Sequence, residues 1–196
     1  MNHGHSKDFE GSNPCTDKLS DREYLVHMIP HHQVAIDMSV ALIPHSGNPD
    51  ILHLCRDIIR KQTYEIWIMN ILKEKLPETV FTRDSFQVKD FKTKLDMYAP
   101  RMSSATEGGC DPLFFKPDDH AHHMKDMKLT DESYLMHMIP HHQVAIDMSK
   151  RLLMHTNNGF LIDFCNKLIY DQQGEIFYMK NLLENKYTYH SELLTQ

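Results

Sequence analysis

Three histidines fall within six residues at His27-Met28-Ile29-Pro30-His31-His32, and the same arrangement returns at His137-Met138-Ile139-Pro140-His141-His142. On a helix, residues four apart share a face, so His27 and His31 can aim two imidazoles at one ion, as can His137 and His141. His32 and His142 add a further nitrogen beside each pair. Met28, Met38 and Met69, with Met148 and Met179 in the second copy, offer thioethers. Imidazole with thioether is a soft-to-borderline donor set that suits Cu(I), Ag(I) and, where nitrogen dominates, Cu(II). Zinc prefers Cys, His or carboxylate, and calcium and magnesium want oxygen. Copper is therefore the expected ion, with zinc and iron as alternatives.

A single buried His on an apolar face is more often a hydrogen-bonded core residue than a ligand, and Met at helical spacing is more often core filler. Repetition changes that balance. At an offset of 110 residues, Tyr24–Ser39 matches Tyr134–Ser149 with one difference, Val26 against Met136. Without a gap, the same offset aligns Cys55 with Cys165, Gln62 with Gln172, Glu65 with Glu175 and Met69 with Met179. The flanks diverge, as in Lys61 against Asp171 and Trp67 against Phe177. A duplicated fold needs matching apolar positions, but it does not need matching His, Gln and Glu.

Each copy must therefore position these residues, and each reads as a helix pair. Ser20 or Asp21, and Thr130 or Asp131, are N-cap candidates. The first helices run to about Ile43 and Leu153. Pro44–Pro49 and His155–Gly159 form turns, and the second helices span about 50–75 and 160–185. Two antiparallel hairpins can close into an all-α four-helix bundle with approximate internal two-fold symmetry. The expected organisation is a polar, His-containing tail (1–18), the first hairpin (19–76) and a linker with a His/Met-rich stretch (77–128). A second hairpin (129–186) and a C-terminal tail (187–196) complete it. The linker has a candidate short helix near 85–97 and the tract His120-Ala-His-His-Met-Lys-Asp-Met127. Like His3 and His5, that tract has metal-binding potential but would look the same as a solvated surface run.

At 100° per residue, Tyr24, Met28, His31, Ala35, Met38 and Leu42 fall on one face, with His27 to one side, His32 at the edge and Gln33 and Asp37 opposite. On the second helix Ile51, Cys55, Ile59, Gln62, Ile66 and Met69 form a stripe with Glu65 at its margin. Buried without partners, these polar groups would cost a few kcal/mol each, so they must pair with one another or hold something. Glu65 and Glu175 suit the role of carboxylates that fix the rings of ligating histidines. Pro30 and Pro140 predict either a kink beside the histidines or a helix that starts only at the proline.

Hydrophobic residues make up 41% of the chain, so a sizeable core is available. A net charge of -6 speaks against a nucleic-acid partner, and no apolar run reaches the roughly 18 residues of a membrane span. Four Cys are too few and scattered for a disulfide framework. Cys55 and Cys165 read as buried apolar residues, whereas Cys15 and Cys110 could pair or bind metal. The polar N-terminus shows no export signal, so an intracellular location is the expectation, and a homo-oligomer is open.

His-Met-Ile-Pro-His-His-Gln-x-Ala-Ile-x-Met-Ser followed by Gln-x-x-Glu-Ile-x-x-Met resembles the domain of unknown function 305 family, over about residues 19–76 and 129–186. The resemblance implies a ferritin-like helical fold, often rich in His and Met, and associated with copper binding or tolerance. On that basis His27, His31, His32, Met38, Gln62, Glu65 and Met69 match the family motifs. So do His137, His141, His142, Met148, Gln172, Glu175 and Met179. The expected role is storage, buffering or tolerance of copper without turnover. A His-based structural or pH-sensing bundle that binds a protein partner is one alternative. A ferritin-like di-metal oxidase is the other, although neither copy carries the inward Glu-x-x-His such a centre uses.

Overall fold

The structure is a computed structural model that describes residues 19–76 and 129–187. The tail at 1–18, the linker at 77–128 and most of the C-terminal tail lie outside the described residues. So do His3, His5, Cys15, Cys110, the candidate helix at 85–97 and the tract His120–Met127. Among the described residues there are four helices and no strand, an all-α arrangement: α1 (Asp21–Leu42), α2 (Pro49–Lys75), α3 (Asp131–Leu153) and α4 (Gly159–Glu184). None is long and apolar enough to cross a membrane.

The helix starts follow from local chemistry. Ser20 caps α1, and Glu23 returns its carboxylate to the Ser20 N–H at 2.8 Å, closing a capping box. Thr130 and Ser133 do the same for α3. Asn48 and Asn158 cap α2 and α4 through their side-chain oxygens, and Pro49 takes the first position of α2, where its missing N–H is no loss. Helix α1 runs unbroken through Pro30 and α3 through Pro140. The reading in which proline opens the main helix is therefore corrected. Packing of the residues on both sides keeps the helix in register at the cost of one hydrogen bond.

Each hairpin packs on itself, α1 on α2 and α3 on α4, and the hairpins meet mainly along α1 and α3. These two helices run antiparallel: the Tyr24 hydroxyl meets Ser149 Oγ at 2.7 Å, and Ser39 Oγ meets the Tyr134 hydroxyl at 2.7 Å. The pairs exchange under the 110-residue offset, which defines an approximate two-fold axis.

Two apolar clusters lie on either side of that axis. One gathers Tyr24, Met28, Met69, Met148 and Cys165. The other gathers Tyr134, Met138, Met179, Met38 and Cys55, the equivalents of the first five. Between them sits a buried polar layer of His31, His32, Gln62 and Glu65 with His141, His142, Gln172 and Glu175.

Candidate metal centre

His31 and His141 come from equivalent positions on α1 and α3 and meet where the axis passes. Their rings stack with centroids 3.6 Å apart and an interplanar angle of 20°. Burial drives the pKa of both rings well below the usual imidazole value, and neighbouring histidines add to the effect: His32 and His142 around His31, and His31 and His142 around His141. Two rings held neutral at close range present nitrogen lone pairs without charge repulsion.

His32 does not lie at the edge of its helix face. It is fully buried, because α2 packs over the flank of α1 that the helical-wheel reading left open. Its Nε2 meets Glu65 Oε2 at 2.8 Å, and the equivalent His142 Nε2 meets Glu175 Oε2 at 2.9 Å. Glu65 lies inside rather than at the margin, and Leu54 and Ile58 are buried where Ile59 and Ile66 were expected. Asp37 faces water as expected, whereas its equivalent Asp147 is buried.

In the tautomer that donates Nε2–H to the carboxylate, the ring's lone pair sits on Nδ1. The Nδ1 atoms of His32 and His142 are buried and have no hydrogen-bond partner among the described residues. The same holds for Gln62 Oε1 and for both amide atoms of Gln172. Unmet, each would cost about 1–3 kcal/mol. Carboxylate on one ring nitrogen and a lone pair on the other is the usual disposition of a metal-ligating histidine. The chemistry of these donors fits a nitrogen-preferring or borderline ion such as copper, and His32 and His142, oriented by Glu65 and Glu175, are the residues that could hold it.

The two carboxylates differ in one respect. Lys61 on α2 reaches across to Glu175 on α4, Nζ to Oε1 at 2.8 Å, whereas the residue equivalent to Lys61 is Asp171. Burial alone would raise the Glu175 pKa. The hydrogen bond and charge of His142, and then those of Lys61, outweigh it and hold the carboxyl at about 2. Lys61 itself is shifted upward: burial opposes its charge, but the Glu175 contact wins.

Other expected site residues are placed differently. His27 and His137 are half-buried beside the layer, and the His137 ring lies 6.4 Å from that of His141. Met38, Met69, Met148 and Met179 sit in the apolar clusters that flank the layer, as core residues do. Among the described residues, no three His, Cys, Asp or Glu side chains already converge as a ligand set. Two groups escaped the sequence reading as site partners, the Tyr–Ser pairs and Lys61. The Tyr–Ser pairs had a signal, since Tyr24/Tyr134 and Ser39/Ser149 are identical in both copies. Lys61 had none, because its partner is in the other repeat.

The profile of a family described as "Domain of unknown function (DUF305)" matches residues 21–183. Over 65 residues the chain is 46% identical to "Uncharacterized protein L153" of Acanthamoeba polyphaga mimivirus. That match takes in 32% of this chain and 43% of the relative, so the chain spans less than half of that protein's length. Among solved structures, "CopM in the Ag-bound form (by soaking)" has a TM-score of 0.60 at 25% identity. "CopM in the Cu(I)-bound form" has a TM-score of 0.59 at 26% identity. Each likeness covers 87% of this chain and 99% of the other. "CopM in the Cu(II)-bound form", at 24% identity and a TM-score of 0.60, shows the shared fold.

Proposed function

The chain belongs to the DUF305 family, and from that premise we propose that it binds copper at the polar layer, for storage, buffering or tolerance and without catalytic turnover. The observation that carries this reading is the pair of buried histidines whose Nε2 atoms are held by Glu65 and Glu175 while their Nδ1 atoms have no partner among the described residues. The stacked, neutral rings of His31 and His141 supply further nitrogen at the same level. Silver- and copper-bound CopM structures of similar fold support the choice of ion. When bound, copper supplies a soft cation that satisfies lone pairs otherwise left buried.

The protein's own groups do the rest. Glu65 and Glu175 fix the two rings, the neutral His31 and His141 keep the layer free of fixed positive charge, and the Tyr–Ser pairs hold α1 against α3. A second reading, in which the layer is structural and senses pH, is favoured by one observation: each His–Glu pair makes a direct hydrogen bond between ring and carboxylate, at 2.8 and 2.9 Å. The experiment that separates the two is thermal melting with metal analysis after loading with Cu(I), Cu(II), Zn(II) or Fe(II). The variants His31→Ala/His141→Ala and His32→Ala/His142→Ala run alongside. Copper should raise the melting temperature most, and both variants should lose the gain. If no metal stabilises the wild type, the structural reading replaces this one.

A further inference from the structure

His141 and His142 are fully buried, so an ion that reaches them needs a way in. Between α2 and α4 lies an open groove of about 810 Å³, lined by His53, Asp57 and Lys61 on one side and by Asp171, Gly174 and Glu175 on the other. Its floor is Glu175, the carboxylate that grips His142 with one oxygen and Lys61 with the other. Lys61 is about one-third exposed and Glu175 only 10% exposed. The ammonium therefore stands between solvent and the carboxylate.

The rim carries groups that attract cations, each moderated by a neighbour. Asp57 meets Arg60 at 3.2 Å, and Asp171 meets Lys167. His53, exposed at the mouth, lies 3.7 Å from Asp57.

The duplication supplies a built-in comparison. The position equivalent to Gly174 is Tyr64, an exposed ring stacked on Trp67 at 5.8 Å. The position equivalent to Asp57 is Lys167, and the one equivalent to Lys61 is Asp171. At Gly174 a Cβ would meet nothing within 4 Å. Over Glu175 the groove thus has open space at Gly174 and the carboxylates of Asp57 and Asp171 in its lining, whereas the equivalents of Gly174 and Asp57 are the exposed ring of Tyr64 and Lys167.

We propose that copper reaches the buried histidines through the groove between α2 and α4, displacing the Lys61 ammonium from Glu175 as it passes. The inference rests on the copper-binding reading and adds its route. Displacement conserves charge on the carboxylate, one cation leaving as another arrives. Lys61 therefore acts as a plug rather than a ligand, and the route serves the second repeat's histidines first.

The test is the rate at which the apo full-length protein takes Cu(I) from a weak chromophoric chelator, under anaerobic conditions, read by stopped-flow absorbance. Total Cu(I) bound at equilibrium is measured on the same samples. Gly174→Trp fills the groove from a helix position open to solvent, and the change from Gly does not oppose helix formation. It should slow uptake at least tenfold with equilibrium capacity unchanged, while Gly174→Ala keeps the wild-type rate. Lys61→Met removes the plug without adding bulk and should speed uptake several-fold, and Lys61→Arg should restore the slower rate. Wild-type uptake matched within twofold by Gly174→Trp and Lys61→Met overturns the route and leaves copper binding intact. No uptake by the wild type overturns copper binding itself, and the route with it.

Discussion

Tyr24 of the first repeat hydrogen-bonds to Ser149 of the second at 2.7 Å, and Tyr134 repeats the contact with Ser39 in the opposite direction. Each serine also donates to a carbonyl on its own helix, from Ser39 to Ala35 and from Ser149 to Ala145, so in each pair the tyrosine hydroxyl is the donor and the serine oxygen accepts. Replacing Tyr24 by Phe should cost about 1 kcal/mol. Because the two pairs share no residue, Tyr24→Phe/Tyr134→Phe should cost the sum within about 0.5 kcal/mol. Urea unfolding of the two single variants and the double variant checks this, and strong non-additivity would show that the pairs are linked through the histidine layer.

Glu175 holds two partners and Glu65 holds His32. Glu175→Gln removes a charge that both His142 and Lys61 use, and Glu65→Gln weakens one contact. We expect a loss of about 2 kcal/mol for the first and about 1 kcal/mol for the second. The Lys61 share stays small because that ammonium is partly solvated. The readout is the denaturation midpoint at constant slope. Equal losses would mean that Lys61 adds nothing.

Stability of the apo protein should fall in two steps on acidification. His31 and His141 have folded pKa values lowered from 6.5, so below about pH 6.5 the unfolded chain binds protons that the folded state refuses. Their contribution is present above that pH and is lost as pH falls through it. Glu175 is depressed from 4.5 to about 2, so its contribution is present above about pH 4.5 and is lost between there and about pH 2. Melting temperatures from pH 8 to 3 should show the first decline below pH 6.5. His31→Gln/His141→Gln should remove that first step and keep the second.

Burial pushes the Cys55 thiol up to about 11 and the Cys165 thiol up to about 12. Neither forms an appreciable thiolate near neutral pH. In a thiol-labelling time course on the native protein, Cys55 and Cys165 should react only at the rate of unfolding and at once in denaturant. Rapid labelling of either would show that its apolar cluster opens far more often than this packing allows.

Much of this arrangement is written in the residues themselves. The inward face of α1 follows from helical spacing alone, because Tyr24, Met28, His31, Ala35, Met38 and Leu42 recur at three- and four-residue steps, and all are buried. Spacing could not place His32, whose environment is decided by how α2 leans on α1. Nor could it show His31 meeting His141, or Lys61 meeting Glu175, since both contacts join residues more than 100 positions apart. Matching blocks pointed to which residues matter, and only tertiary packing says to whom they answer. The methionines are legible as candidate thioether donors from their spacing, and packing adds only that they lie in the apolar clusters beside the polar layer.

The axis through His31 and His141 has a consequence for redundancy. Away from it the Tyr–Ser and His–Glu contacts each exist twice, so damage to one such pair leaves an intact twin. The contact on the axis is made by a residue and its own counterpart, and it exists once. The repeat therefore supplies a spare for each of these pairs and none for its centre. There, the two positions are free to carry different residues.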